Sequence, residues 1–445
     1  MKFEEIKDIL FKTAQEAGLT EYDVYFCLTD EQSAEALNGE MNSCTAGTSG
    51  GVCFRCASEG RMGAASTQSV DPKVLEGLVA RAIANAAVTD ADEEPIFFGG
   101  AKPEDYREAN VTVPELPGVA ELRRVAMALQ EKLYAENEMM TDGTCSSAGA
   151  SRTVVALANS KGLSLSREVG GVYTYVEPII NDGNEPSFGS AYAPVLDVES
   201  GIVKQATDEA VARLGAGLVK TGTYDVILDR RRVRSLIACY KSIFSGKAAL
   251  QGLSLLKGKE GQQIASDMVT LIDDPFYAEN SKQCAFDAEG VPTATKTLIN
   301  KGVLQTLLYD LTNAKKAGVA PTGNAARGFS DPVLIEPYCL RIEAGRETRD
   351  ELLARMGNGL YITEMKGLHA GANAVTGDFS IESAGFLVED GKITKPVHSF
   401  TVAGNFFELL KAIDGVASNV EMGLPATSVI AAPDILVRGL SVAGE

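Results

Sequence analysis

Four short polar turns, each set between runs of β-forming residues, constrain what this chain can fold into more than any other feature. Glu59-Gly60 separates residues 52–56 from 62–66, and Asn159-Ser160-Lys161-Gly162 separates residues 153–158 from 163–168. Asn300-Lys301-Gly302 lies within 297–308, and Glu389-Asp390-Gly391-Lys392 lies within 386–397, the last with the Asp-Gly pair favoured in tight hairpins. Strands joined by so few residues must run antiparallel. Further strands are predicted at 22–27, 32–37 and 224–228.

Helical patterns flank these hairpins. Phe3, Ile6, Leu10, Ala14 and Ala17 share one helical face that stops at Gly18. Asp71-Pro72 supplies an N-cap followed by proline and predicts a helix with Val74, Leu78, Ala82, Ile83 and Ala86 facing inward. Leu122, Val125, Ala126, Leu129 and Leu133 predict a third helix over 119–135, and a fourth is expected at about 197–214. A helix is also expected over 233–246. Thr348 with Glu351 forms a capping box for a short helix before Gly357, and Asn405 is placed to cap a helix over 406–413. The acidic stretch 90–105 reads as a loop. No strand–helix alternation suggests a parallel sheet, so the expected fold is α+β, two domains rich in antiparallel hairpins with flanking helices.

At 445 residues the chain is long for a single core. A glycine-rich connector before the apolar run 224–228 places the division at residues 1–218, an N-terminal α+β domain, and 219–445, a mostly antiparallel β domain with helices. A formal charge of −19 argues against nucleic acid, whose binding requires basic groups that displace counterions. The basic run Arg230-Arg231-Arg232 with Arg234 is explained by ion pairing or by a solvated helix start. The first residues are acidic where a signal peptide is basic, and no stretch approaches the roughly 20 apolar residues of a membrane span, so a cytoplasmic protein is expected. Its eight cysteines are then reduced thiols. Cys53-Phe54-Arg55-Cys56 has metal or redox spacing, but no second such pair accompanies it and a strand would point its thiols to opposite faces.

Sites for familiar chemistry are scarce. Two histidines leave few ways to complete a nucleophile triad and no phosphate-binding loop is present, and Asp273-Asp274-Pro275 reads as a turn cap. The only two histidines, His369 and His398, can form a two-histidine zinc set with Asp378, Glu382 or Glu389, although packed or surface histidines are the simpler reading. Asp287, Glu289, Thr322, Gly323, Asn324, Asp378 and Ser380 fall in turns beside strands. There they can receive an extended peptide, or serve as turn residues with local side-chain-to-backbone hydrogen bonds.

Several motifs occur in a fixed order: Asp273-Asp274-Pro275, the run Phe286 to Thr293, Pro321-Thr322-Gly323-Asn324, Gly377-Asp378-Phe379-Ser380, Ala384-Gly385-Phe386 and Ala403-Gly404-Asn405. In this order the chain resembles the TldD/PmbA family, long labelled modulators of DNA gyrase, densely from about Tyr224 onward. In the TldD branch of that family, the helix after the strand at 226–228 carries an HExxxH zinc motif and a cysteine near the C-terminus adds a ligand. Here residues 233–246 contain neither histidine nor glutamate. Ala238, Cys239 and roughly Ser242 stand where the first ligand, the base and the second ligand would be, and no cysteine follows Cys339.

The resemblance therefore implies the PmbA/TldE branch: a non-catalytic subunit of a TldD-type zinc metalloprotease acting on unfolded peptides, with no cofactor of its own. Its implied partners are a TldD-like protease subunit or a second copy in a homodimer, and an extended peptide substrate added at a sheet edge. Two alternatives stay open, a self-sufficient metallopeptidase using His369, His398 and an acid, and a peptide- or protein-binding module without proteolysis.

Overall fold

The computed structural model describes residues 2–89, 95–423 and 428–445, so the first part of the predicted acidic loop, 90–94, lies outside the described residues. The fold is α+β. Helix α1 (Phe3–Glu16) buries Ile6, Leu10 and Ala14, and Gly18 just beyond its end takes a left-handed φ of 76°. Strand β1 (Tyr22–Leu37) is one continuous strand of 16 residues, where two shorter ones were expected. It pairs along its length with β2 (Glu40–Ser58). The two-residue turn between them is Asn38-Gly39, both with positive φ. Strand β3 (Arg61–Thr67) completes the predicted hairpin through Glu59-Gly60.

Asp71 caps α2 (Pro72–Ala86) by accepting the Lys73 N–H at 2.9 Å. Its buried face is Leu75, Leu78, Val79, Ala82 and Ala86, so the stripe is rotated from the predicted one and Val74 and Ile83 sit at its margin. Helix α3 (Val119–Glu136) buries the five predicted apolar residues together with Gln130. Strands β4 (Cys145–Asn159) and β5 (Ser164–Glu177) form the second hairpin, longer than predicted at both outer ends. The six-stranded sheet has β1 at its middle, flanked by β2 and β4. Cys53 packs on one face and Cys56 on the other, in separate apolar clusters, as strand geometry requires. Helix α4 (Ile202–Ala212) starts later than predicted, because Gly201 turns the chain with φ 84°.

After residue 218 two more six-stranded sheets follow. In one, the hairpin Asp378–Glu389 with Lys392–Asn405 turns on Asp390-Gly391, both at positive φ. Lys392–Asn405 also pairs with Ile435–Ala443, which closes five strands into a cycle. Among the described residues two strand-to-strand pairings are parallel, Gly222–Leu228 with Gly359–Lys366 and Cys339–Ile342 with Val429–Ala432, where only antiparallel pairs were expected. Both parallel pairs join segments far apart in sequence, a distance over which turn chemistry carries no information. A large apolar cluster fills this half, while Tyr25, Cys53, Val155 and Leu157 of the first sheet pack with Ala288 and Ala325. No helix among the described residues is long and apolar enough to cross a membrane.

Candidate functional site

Helix α5 (Arg230–Tyr240) follows the strand Gly222–Leu228, where the TldD branch carries its metal-binding helix. Asp229 caps it, accepting the Arg231 N–H at 2.8 Å, and a 3-10 turn, Lys241–Phe244, replaces the rest of the predicted helix. Val233, Leu236, Ile237 and Tyr240 recur at helical spacing and are buried. The remaining face therefore turns outward, and it carries Ala238 and Cys239, with Ser242 exposed just beyond. The Cys239 thiol, raised in pKa by burial, lies 3.9 Å from the Leu368 carbonyl. Alanine offers no lone pair, a neutral serine hydroxyl is a weak zinc ligand, and one thiol does not make a coordination shell. These residues do not fit a zinc ion.

Three of the four arginines near the start of α5, Arg230, Arg231 and Arg234, point into acidic partners. Arg230 Nε meets Glu421 at 2.6 Å, Arg231 forms two bonds to Glu209 at 2.7 and 2.8 Å, and Arg234 reaches Glu421 at 3.0 Å. At the other end Tyr240 donates its hydroxyl to the carbonyls of Gly377 and Asp378, at 3.1 and 3.0 Å, and its ring stacks on Phe406 at 4.2 Å. That contact fixes the 373–378 loop against α5. Asp378 is exposed there and accepts the Asn405 amide at 2.9 Å, which holds its carboxyl below the ordinary carboxylate range. Ser380 is exposed two residues along the same strand.

The histidines stand apart. His369 is exposed on the short helix Leu368–Gly371. His398 lines a cavity of about 420 Å³ with Glu185, Arg213, Glu364 and Lys366, which His369 does not line. Its Nδ1 lies 2.9 Å from Ser399 Oγ and 3.8 Å from Glu185. Among the described residues no three His, Cys, Asp or Glu side chains converge as a metal site.

The other predicted site residues are drawn inward. Asp287 is 1% exposed; Oδ1 accepts the N–H groups of Glu289 and Val291, and Oδ2 that of Ala325, at 2.9 to 3.0 Å. Thr322 accepts the Tyr309 N–H at 2.7 Å, and Gly323 takes a φ of 69° in a place where a Cβ would meet the Pro292 carbonyl. Asn324, fully buried, donates to Asp273 at 2.8 Å and to the Glu336 carbonyl at 3.0 Å. Asp273 also accepts the Tyr338 and Cys339 N–H groups, while Asp274 accepts that of Phe276, so the Asp-Asp-Pro element pins three segments together.

Glu289 opens onto a charged junction that sequence reasoning missed. Arg55, the charged residue inside the Cys53–Cys56 spacing, donates Nε to both oxygens of Asp23 at 3.1 Å and lies 3.7 Å from Glu289. Arg327 reaches Asp23 from the opposite half at 3.3 Å and stacks over the Tyr25 ring. Burial alone would raise the Asp23 pKa, but Arg327 and Arg55 outweigh it and hold the carboxyl below its usual range. Burial wins at Glu289, pushed up to about 7, because Arg55 is committed to Asp23. Asp287 beside it is also raised by burial. The available signal was a lone charge within each of two apolar strand runs, Tyr22-Asp23-Val24 and Phe54-Arg55-Cys56, which pair directly as Asp23↔Arg55.

Comparison with known proteins decides the family. Three PmbA/TldA metallopeptidase domains match in order: domain 1 at residues 22–86, the central domain at 112–214 and the C-terminal domain at 221–444. The chain belongs to the PmbA/TldD family. A solved Thermotoga maritima structure, labelled a modulator of a DNA gyrase, is 31% identical with a TM-score of 0.88 over 99% of this chain and 100% of that one. A Methanothermobacter thermautotrophicus protein named a metalloprotease is 31% identical over 60% of this chain and 61% of its own length. A Haemophilus influenzae metalloprotease PmbA homolog is 27% identical over 81% of this chain and 79% of its own.

One further feature of this PmbA/TldD chain bears on what it can receive. Beyond the region covered by β3, residues 40–50 of β2 pair with β1 on one side and, among the described residues, with nothing on the other. After Glu40 this edge, Met41-Asn42-Ser43-Cys44-Thr45-Ala46-Gly47-Thr48-Ser49-Gly50, carries no charge, and it is almost wholly exposed. Edge strands are ordinarily guarded by charges, proline or a covering element. Among the described residues this one has none of them.

Proposed function

We propose that this chain is a PmbA/TldE-like, non-catalytic subunit of a TldD-type zinc metalloprotease assembly that acts on unfolded peptides in the cytoplasm. The observation that carries the reading is the outward face of α5: a member of a metallopeptidase family presents alanine, a cysteine thiol and a serine hydroxyl where a zinc-binding helix would present imidazoles and a general base. A TldD-like subunit supplies metal and base in this reading, or a second copy occupies the same position in a homodimer. The 1–218 unit offers the bare edge at 40–50 for strand addition, where backbone hydrogen bonds hold an extended peptide without regard to its sequence. Asp378 and Ser380 are the members of the predicted polar set open to a substrate; Asp287, Glu289, Thr322, Gly323 and Asn324 shape the loops behind it.

Reconstitution tests this. The purified chain is mixed with a TldD-like subunit and an unfolded peptide, and cleavage is followed by mass spectrometry. Cleavage in the mixture and not with the isolated chain is expected. Turnover by the isolated chain with stoichiometric zinc, lost on His369→Ala, would instead establish the self-sufficient enzyme. Peptide binding with no cleavage in either case would leave a binding module.

A further inference from the structure

Between the open face of the first sheet and the 282–338 segment lies a cavity of about 590 Å³. Its floor is the sheet itself: Tyr25, Cys27 and Thr29 of β1, Thr153 and Val155 of β4, with Arg167 and Val169 of β5. Four cations line it, Arg167, Lys241, Lys282 and Arg327, against two carboxylates, Asp331 and Glu336. In a chain of net charge −19 this balance is inverted.

Acids pair with two of these cations, Lys241 and Arg327, and among the described residues with neither Arg167 nor Lys282. Glu336 is engaged by Lys241 and accepts the Ser428 hydroxyl at 2.7 Å. Arg327 has a side chain only 1% exposed; it spends Nη2 on Asp23, and its Nε and Nη1 have no partner among the described residues. Arg167 lies over the Phe286 ring at 5.9 Å, and its buried Nε is likewise without a partner. Lys282 is partly buried near Arg167, and burial together with that like charge lowers its pKa. A buried polar donor left unmade costs on the order of 1–3 kcal/mol, more when charged, so unpartnered guanidinium nitrogens on two arginines that line this cavity favour an anion there.

We infer that this cavity binds an oxyanion, a carboxylate or a phosphate, carried by a small ligand whose remainder lies against Val155, Val169 and Leu334. Guanidinium groups match the geometry of both anions through paired N–H donors, and the volume is that of a small-molecule site. The inference is independent of the proteolytic reading, because its test involves no cleavage and no second subunit.

Titration calorimetry on the full chain would use three probes: inorganic phosphate, a short peptide with a free C-terminal carboxylate, and the same peptide amidated. Binding of the free acid but not the amide identifies a peptide end as the source of the anion; binding of phosphate alone identifies a free anion. In either case Arg167→Gln should weaken binding about tenfold or more, with Arg167→Lys intermediate. Without added anion, Arg167→Gln should melt no lower than wild type, since it removes a buried charge that lacks a partner. If Arg167→Gln fails to fold, Lys282→Gln, on a less buried side chain, reads the same site and should weaken binding several-fold. Absence of binding by all three probes at millimolar concentration, or affinity unchanged in the folded variants, overturns the inference.

Discussion

The outward face of α5 and the Asp23–Arg55–Glu289–Arg327 junction are opposites in chemistry. The first is neutral and made of exposed Ala238 and Ser242 with half-buried Cys239; the second is buried and dense with charge contributed by both halves of the chain. Exposed uncharged positions cost the fold little, so such a face can lose a metal set without penalty. A buried charge cluster persists only when each member is held by the others. The contrast teaches where the chain is under physical constraint: at the seam between its halves, away from the helix at which a family protease would do chemistry.

The sharpest way to break that contrast is Arg55→Met. It strips Asp23 of its bidentate partner and Glu289 of its nearest cation, and should cost about 3–5 kcal/mol in urea denaturation. A loss below about 1 kcal/mol would mean that Arg327 alone satisfies Asp23.

Next in size is a pH effect. The folded-state pKa of Glu289 lies above the unfolded value of 4.5, so its contribution is fully present below pH 4.5 and is lost as pH rises through about 7. Asp23 runs the other way: its depressed pKa gives a contribution present above the unfolded 3.8 and lost on further acidification. Glu289→Gln should therefore remove a downward slope in stability between pH 4.5 and 7 while leaving the acid limb in place. Unfolding curves across that range that are parallel for the two proteins would contradict this.

Tyr240→Phe deletes the hydroxyl that ties α5 to the Gly377 and Asp378 carbonyls and should cost about 1 kcal/mol. Hydrogen exchange in residues 373–378 would locate the loss. Smallest of all, Ser242→Ala on the open face and Ala46→Lys on the bare edge should each shift stability by less than about 0.5 kcal/mol. They separate in function: Ala46→Lys should weaken capture of an extended peptide, by fluorescence anisotropy, and Ser242→Ala should not.

What was legible in the sequence was local. The hairpins at Glu59-Gly60, Lys161-Gly162 and Asp390-Gly391 announced themselves because a turn needs particular residues at particular positions. Caps at Asp71, Thr348 and Asn405 were equally plain. The first half of β2 went unread although Asn38-Gly39 is a strong turn signal, because residues 41–50 lack the apolar alternation of a half-buried strand. Their exposure explains that composition. The junction was hidden for a different reason: Asp23 meets Arg55 across a strand pair, but Arg327 arrives from some 300 residues away, and no local pattern encodes that meeting. Asp287 and Asn324 were recognised as polar turn residues, and only the fold reveals how deeply they are enclosed.

The unguarded rim of β2 has a consequence in the test tube. Wherever this polypeptide is concentrated alone, the most abundant extended backbone available to that rim is another copy of itself, so turbidity and slow chain-to-chain accretion should begin there. Anything that occupies the rim, a subunit or a short peptide, should extend the life of the stock.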